Sequence, residues 1–210
     1  MHRITRILLL LLVATAAATS RADNPARFDY YLLSLSWSPQ YCAATTRTDE
    51  PQCVRPYAFV IHGLWPQFER GYPHDCPAFG RVSDATIEHM LPIMPSRGLI
   101  IHEWRTHGSC TGLDARSYFT TVERAYRAIV IPAPYRAVTD YLTQDTAQIK
   151  RAFATDNPGL PAGSITLQCA GPYLQEVHIC VDRALTPRKC GIDQRDRCGS
   201  RVVLRPTKTR

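Results

Sequence analysis

Eight cysteines, at positions 42, 53, 76, 110, 169, 180, 190 and 198, constrain this chain more than any other feature. No two have the Cys-x-x-Cys spacing of a zinc ribbon or a thioredoxin-like redox site. An even count without that spacing reads as four disulfides, each worth about 2–4 kcal/mol. Such a chain matures in an oxidising compartment. Spacing alone leaves the connectivity open. The first residues point the same way. Arg3 and Arg6 precede an unbroken apolar run at 7–13, and 14–22 is small and polar, with cleavage expected after Ala16, Ala18 or Ala22. This is the three-part pattern of a secretory signal peptide over residues 1–22. The run is too short to span a bilayer. The mature chain is therefore expected to leave the membrane and reach the periplasm or the extracellular space.

Residues 23–210 read as one domain. Their length allows a substantial core, and a hydrophobic content of 45% excludes a mainly disordered chain. Removing Arg3, Arg6 and Arg21 with the leader leaves 22 basic against 18 acidic side chains, a net charge of +4. That balance permits a polyanionic substrate without requiring one. Arg201, Arg205, Lys208 and Arg210 form a basic tail without acids, expected to be flexible and suited to nucleic acid or to solubility.

Strands are expected at 28–37, 58–61, 165–169 and 173–181, with Val177, Ile179 and Val181 alternating onto a core face. His62-Gly63 reads as a turn, and 66–83, rich in Pro and Gly, as a loop. Helices are expected at 84–91, capped by Ser83 or Asp84, and at 100–107, stopped by Gly108. Another is expected at 115–130, capped by Asp114, with Tyr118, Phe119, Val122, Tyr126 and Ile129 on one face. Two more are expected at 135–143 and 146–154. Strands and helices mix without regular alternation, which predicts an α+β fold with an antiparallel sheet flanked by helices.

Two strings concentrate the chemistry: Ile61-His62-Gly63-Leu64-Trp65-Pro66 and Ile101-His102-Glu103-Trp104-Arg105-Thr106-His107-Gly108-Ser109-Cys110. On a helical wheel of ~100° per residue, His102, Thr106, Glu103 and His107 share one arc of about 140°, with Trp104 and Arg105 on the other side. A zincin helix carries His-Glu-x-x-His, its two histidines one turn apart. Here Thr106 holds that position and the second histidine comes one residue late, so zinc hydrolysis is the lesser reading. A hydrogen-bonded structural cluster is the plainer alternative. Two histidines beside a carboxylate suit proton transfer near neutrality, one removing a proton and the other supplying it. No Gly-x-Ser-x-Gly elbow supports a serine hydrolase. His74, His89 and His178 lie outside both strings and read as surface or structural. Trp104 reads as core. Tyr57 and Phe68 are candidates for base stacking by their nearness in sequence to Trp65.

The two strings resemble the active-site segments of the ribonuclease T2 family of secreted endoribonucleases. His-Gly-Leu-Trp-Pro is matched in full at 62–66. His-Glu-Trp-x-Lys-His-Gly-(Thr/Ser)-Cys is matched at 102–110 except for the lysine, where Thr106 stands. The resemblance extends through Leu35-Ser36-Trp37-Ser38-Pro39 and the strand bearing Leu174, Val177 and Cys180, and covers 28–206. It implies cleavage of single-stranded RNA without metal or other cofactor, by attack of the ribose 2′-OH on the adjacent phosphorus. The products are 2′,3′-cyclic phosphate and then 3′-phosphate ends. It implies His107 as general base, His62 as general acid, His102 as phosphate holder, Glu103 as hydrogen-bonding partner and Trp65 as base platform. It implies the pairs Cys42–Cys53, Cys76–Cys110, Cys169–Cys198 and Cys180–Cys190. No protein partner is implied, and a monomer is expected. Thr106 is the departure: it removes a cation, and Arg105 points ~100° away on an ideal helix. A slower enzyme, or a protein that binds RNA with little cleavage, is the consequence to test.

Overall fold

The structure, a computed structural model, describes residues 26–47 and 50–207. The signal-peptide reading of 1–22, and Lys208 and Arg210 of the tail, lie outside them. Strand β1 (Tyr30–Trp37) runs at once into α1 (Ser38–Ala44), and β2 (Phe59–Gln67) follows. Then come α2 (Asp84–Met90), α3 (Arg97–Thr106), α4 (Ala115–Arg127), β3 (Leu142–Asp145) and α5 (Thr146–Asp156). The chain closes with β4 (Ile165–Ala170), β5 (Tyr173–Val181) and β6 (Arg201–Leu204).

The six strands form one sheet in the order β2-β1-β5-β6-β3, with β4 also on β5. Pairing is antiparallel except where β6 meets β5 in parallel at Tyr173–Val203, so the sheet is mixed rather than wholly antiparallel. One face of β1 and β5 carries Leu33, Leu35, Trp37, Val177 and Ile179 into the main core with α3, α4 and α5. The other face carries Tyr30, Leu32 and Cys180 into a small cluster against Trp65. Because both strands are covered on both faces, they read as nearly continuous apolar runs, and any polar side chain among them needs a partner.

Local signals set most helices. Ser83 accepts from Thr86 N at the start of α2, and Asp114 from Ser117 N at the start of α4, as side-chain caps do. α4 buries Tyr118, Phe119, Val122 and Ala125, and the Tyr118 hydroxyl donates to Leu64 O at 3.0 Å, fixing α4 to β2. α3 begins at Arg97, a turn earlier than expected, because Ser96 caps it.

Two expectations about residues 135–143 and the C-terminal tail fail. No helix spans 135–143: Ala133–Tyr135 is a short 3-10 turn and Leu142–Asp145 is β3, paired with Arg201–Leu204. Tyr135 stacks on Phe153 at 6.1 Å, and this packing with the β3–β6 ladder outweighs local helix propensity. The basic tail is not flexible over its described part. It enters the sheet as β6, and Arg205 lies 3.9 Å over the Tyr173 ring while donating to Gln40 Oε1 at 2.7 Å.

The disulfides are Cys42–Cys53, Cys76–Cys110, Cys169–Cys198 and Cys180–Cys190, the pairs the resemblance implies. Among the described residues no helix is long and apolar enough to cross a membrane.

Candidate active site

The site lies where β2, β5 and the end of α3 meet on the sheet face opposite the main core. A bulge builds its first part. β1 and β2 pair Ser34 with Gly63 and then Leu35 with Ile61, so His62 is the extra residue. Leu64 and Ile61 both enter the core, which strict two-residue alternation forbids. The bulge absorbs the change of parity and aims His62 at the opposite face, as bulges do beside functional sites. His62-Gly63 is therefore not a turn but an irregularity inside a strand that runs on through Pro66. Proline is tolerated there because β2 is an edge strand.

Gly63 is required. A Cβ there would sit 2.1 Å from Glu103 Oε2 and 2.2 Å from Trp65 Nε1. Those two atoms form the hydrogen bond at the centre of the site, the indole N–H donating to the carboxylate at 2.7 Å. Glu103 is 1% exposed and its Oε1 is 3.7 Å from His62 Nε2. Trp65 is the hub of the rings: His62 lies 5.1 Å away edge-on, His107 5.3 Å away at 34°, and His178 5.5 Å away edge-on. Trp104 is core, as expected, its indole N–H donating to Gly80 O.

His107 is not on the helix proper. It is the C-cap of α3, with φ −123° and ψ −48°, and Gly108–Thr111 continues as a 3-10 turn closed by Cys76–Cys110. The ideal wheel therefore misplaces it: leaving helical geometry brings its ring over Trp65. His102 and Thr106 stay on the exposed side of α3, 3.5 Å apart between Nδ1 and Oγ1. Arg105 lines a groove with Gly80, Arg81 and Trp104 on the other side of the helix. It does not stand in for the missing lysine.

Two residues of the site escaped the sequence. Glu176 Oε1 is 2.7 Å from His62 Nδ1, and Glu176 Oε2 is 2.6 Å from His178 Nε2 and accepts from Ser34 Oγ at 3.1 Å. His178 is not on the surface: it is 6% exposed and packs on Trp65. The available signal was Glu176-x-His178 in a strand whose alternate residues are apolar. Tyr57 is half-buried before β2 and joins none of these contacts; Phe68 packs against the core. His74 and His89 are exposed and pair with Asp75 and Glu123.

The environment drives the ionisable groups apart. Burial lowers His107 to about 4, helped by the charges that His102 and His62 can carry. Burial also pulls on His62, but the hydrogen bond and charge of Glu176, with the charge of Glu103, win and raise it above 6.5. Burial pushes Glu103 up to about 7 against the pull of His62 and the Trp65 N–H. Burial opposes the ionisation of Glu176 too, yet its bonds from His178 and His62 hold it far below the usual carboxylate range. His107 thus gives up its proton readily while His62 holds its own more tightly, which is the divergence acid–base chemistry needs. Cavities open on both sides: one of about 470 Å³ reaches Trp65, His107 and Arg197, and one of about 260 Å³ reaches His62, Tyr41 and Leu99. Among the described residues no group of three or more His, Cys, Asp or Glu side chains is arranged to hold a metal ion.

The sequence model of the Ribonuclease T2 family matches residues 28–190, a span that contains both strings and His62, Trp65, Glu103, His107, Glu176 and His178. The chain belongs to the ribonuclease T2 family. A ribonuclease of Aeromonas hydrophila is 41% identical over 119 residues, 56% of this chain and 54% of that protein. The chain thus spans about half the length of that relative. Ribonuclease DdI of Dictyostelium discoideum is 30% identical over 207 residues, covering 87% of this chain and 88% of its own. The crystal structure of RNase NT in complex with 5′-AMP superposes with a TM-score of 0.64 at 26% identity, over 86% of this T2 chain and 99% of that one.

Proposed function

We propose that this protein is an exported endoribonuclease that cleaves single-stranded RNA by transesterification. The observation that carries the reading is the placement of two imidazoles, His107 and His62, about the buried Trp65–Glu103 pair, in surroundings that lower the first and raise the second. His107, without a proton at neutral pH, takes the proton of the ribose 2′-OH. The 2′-oxygen forms its bond to phosphorus as the bond to the 5′-oxygen breaks, and His62 gives its proton to that leaving oxygen. The product is a 2′,3′-cyclic phosphate. In the second step the roles reverse, His62 activating water and His107 returning its proton to the 2′-oxygen, which leaves a 3′-phosphate. His102 holds the phosphate from the exposed side of α3. Glu103 fixes the indole of Trp65 by its N–H and leaves the ring face for a base, a contact that tolerates any sequence. DNA, which lacks the 2′-OH, is not a substrate. No metal or cofactor takes part. The bound 5′-AMP of RNase NT and the four disulfides, which persist in oxidising compartments, agree with an RNA substrate met outside the cytoplasm.

The test is cleavage of a short RNA by the oxidised protein in excess EDTA, with products identified by mass and His107→Ala alongside. A cyclic phosphate from the wild type alone supports the reading. Activity lost in EDTA and restored by zinc overturns it. One observation favours a second reading: neither Thr106 nor Arg105 puts a cation where the family has lysine. RNA bound but uncut under every condition identifies a binding protein on the same fold.

A further inference from the structure

We propose that Glu176, held in place by His178 and Ser34, is the positioning residue of His62: it orients the imidazole through Nδ1 and keeps it protonated for its work as general acid. The inference rests on the role given to His62 above. A carboxylate only accepts hydrogen bonds, so the 2.7 Å contact places a proton on Nδ1. That leaves Nε2, on the Glu103 side, as the atom facing the reaction. His62 comes from a bulge and is half-exposed, so backbone geometry alone does not lock its ring. Glu176 is itself fixed. His178 Nε2 donates to Oε2 at 2.6 Å and Ser34 Oγ donates to the same oxygen at 3.1 Å. His178 Nδ1 is buried with no partner among the described residues, so this ring offers one donor and directs it at Glu176. The register makes the cluster possible, setting Ser34 opposite His178 and Ser36 opposite Glu176 on the site face.

The titratable groups around His62 are Glu176 from β5 and Glu103 from α3, whose charges raise it, His107 at the end of α3, whose charge couples to its own, and Tyr41 from α1, which lines the same cavity; Trp65 from β2 packs beside its ring. Glu176 is the one with a direct hydrogen bond to the ring. An opposite charge at this range raises a histidine by one to three pH units. In Glu176→Gln the amide oxygen still accepts from Nδ1 but carries no charge. The alkaline limb of kcat/KM on RNA should therefore fall by about one pH unit or more, with the acidic limb, set by His107, unmoved. A merely structural role lowers activity at all pH values alike. The imidazole of His62, followed by NMR in the absence of RNA, should titrate lower in Glu176→Gln by the same amount. In the unaltered protein above its titration, ¹⁵N shifts should show His62 as the Nδ1–H tautomer, a measurement that needs no variant to fold. His62 titrating identically in both proteins, or as the Nε2–H tautomer, overturns the proposal. Because these signals are read without substrate, they separate it from the proposed RNA cleavage, whose failure would appear as a protein with the tautomer but no products.

Discussion

Glu103→Gln should make this protein more stable, and by an amount that depends on pH. The carboxyl is 1% exposed, and its Oε1 has no hydrogen-bond partner among the described residues. Burial pushes it from 4.5 to about 7. The sign follows from linkage: a group that holds its proton more tightly in the folded chain contributes stability that is complete below pH 4.5 and is lost as pH rises through 7. Each pH unit of displacement is worth roughly 1.4 kcal/mol, so the ionised carboxylate costs about 3 kcal/mol above pH 7. Glutamine keeps an oxygen to accept the Trp65 N–H and never ionises. Relative to wild type, the variant should be nearly unchanged at pH 4 and about 3 kcal/mol more stable at pH 8. Urea unfolding of both proteins with disulfides intact, at pH 4, 6 and 8, measures the difference, from which titrating groups distant from Glu103 largely cancel. Cleavage of RNA should fall in the same variant, because the site retains a poorly solvated charge for function at the expense of stability. A stability difference that is flat with pH, or that shrinks towards pH 8, would refute the reasoning. It would mean that His62 already compensates the buried charge.

Four further outcomes are expected. The kcat/KM profile on RNA should rise through about pH 4 as His107 loses its proton and fall above 6.5 as His62 does; a single limb near pH 8 would contradict the assignment. Gly63→Ala should abolish cleavage and lower the unfolding midpoint, since its Cβ occupies the Trp65–Glu103 hydrogen bond; full activity would show that the bond is dispensable. Thr106→Lys should raise kcat by restoring a cation beside His102, and an unchanged or lower kcat would reject that role. Replacing Cys76 and Cys110 together by serine should cost about 2–4 kcal/mol in unfolding. It should also lower kcat, because the bond closes the turn that follows His107; stability lost with kcat intact would separate the disulfide from the site.

What could be read from the sequence was local. The α4 helix follows from Asp114 and an apolar face at helical spacing, and α2 from its serine cap. The strings at 62–66 and 102–110 point to His62, Glu103 and His107, and the fold gathers these three around Trp65. The misses at the ends of α3, the Ser96 cap and the C-cap at His107, are local; the larger failures are long-range. Residues 142–145 form a strand only because 201–204 lie beside them, so neither a helical reading of the first nor a flexible reading of the second could be corrected from nearby residues. The same holds for the bulge at His62, which exists only relative to the register of β1.

Glu176 and His178 show where the boundary lies. On an edge strand with one wet face, Glu-x-His is an ordinary solvated pair and carries no message. On β5, flanked by β1 and β4 and covered on both faces, the same two side chains must find partners or forfeit hydrogen bonds that water would supply. The information is therefore in the sequence but unreadable until the strand is known to be central. That fact depends on pairing between strands far apart in the chain, which sets Ser34 of β1 opposite His178 and Ser36 opposite Glu176. The apolar side chains at 177, 179 and 181 were the nearest local hint. They mark the core face of β5 and so leave 176 and 178 facing the other way, into the space that the bulge gives to His62.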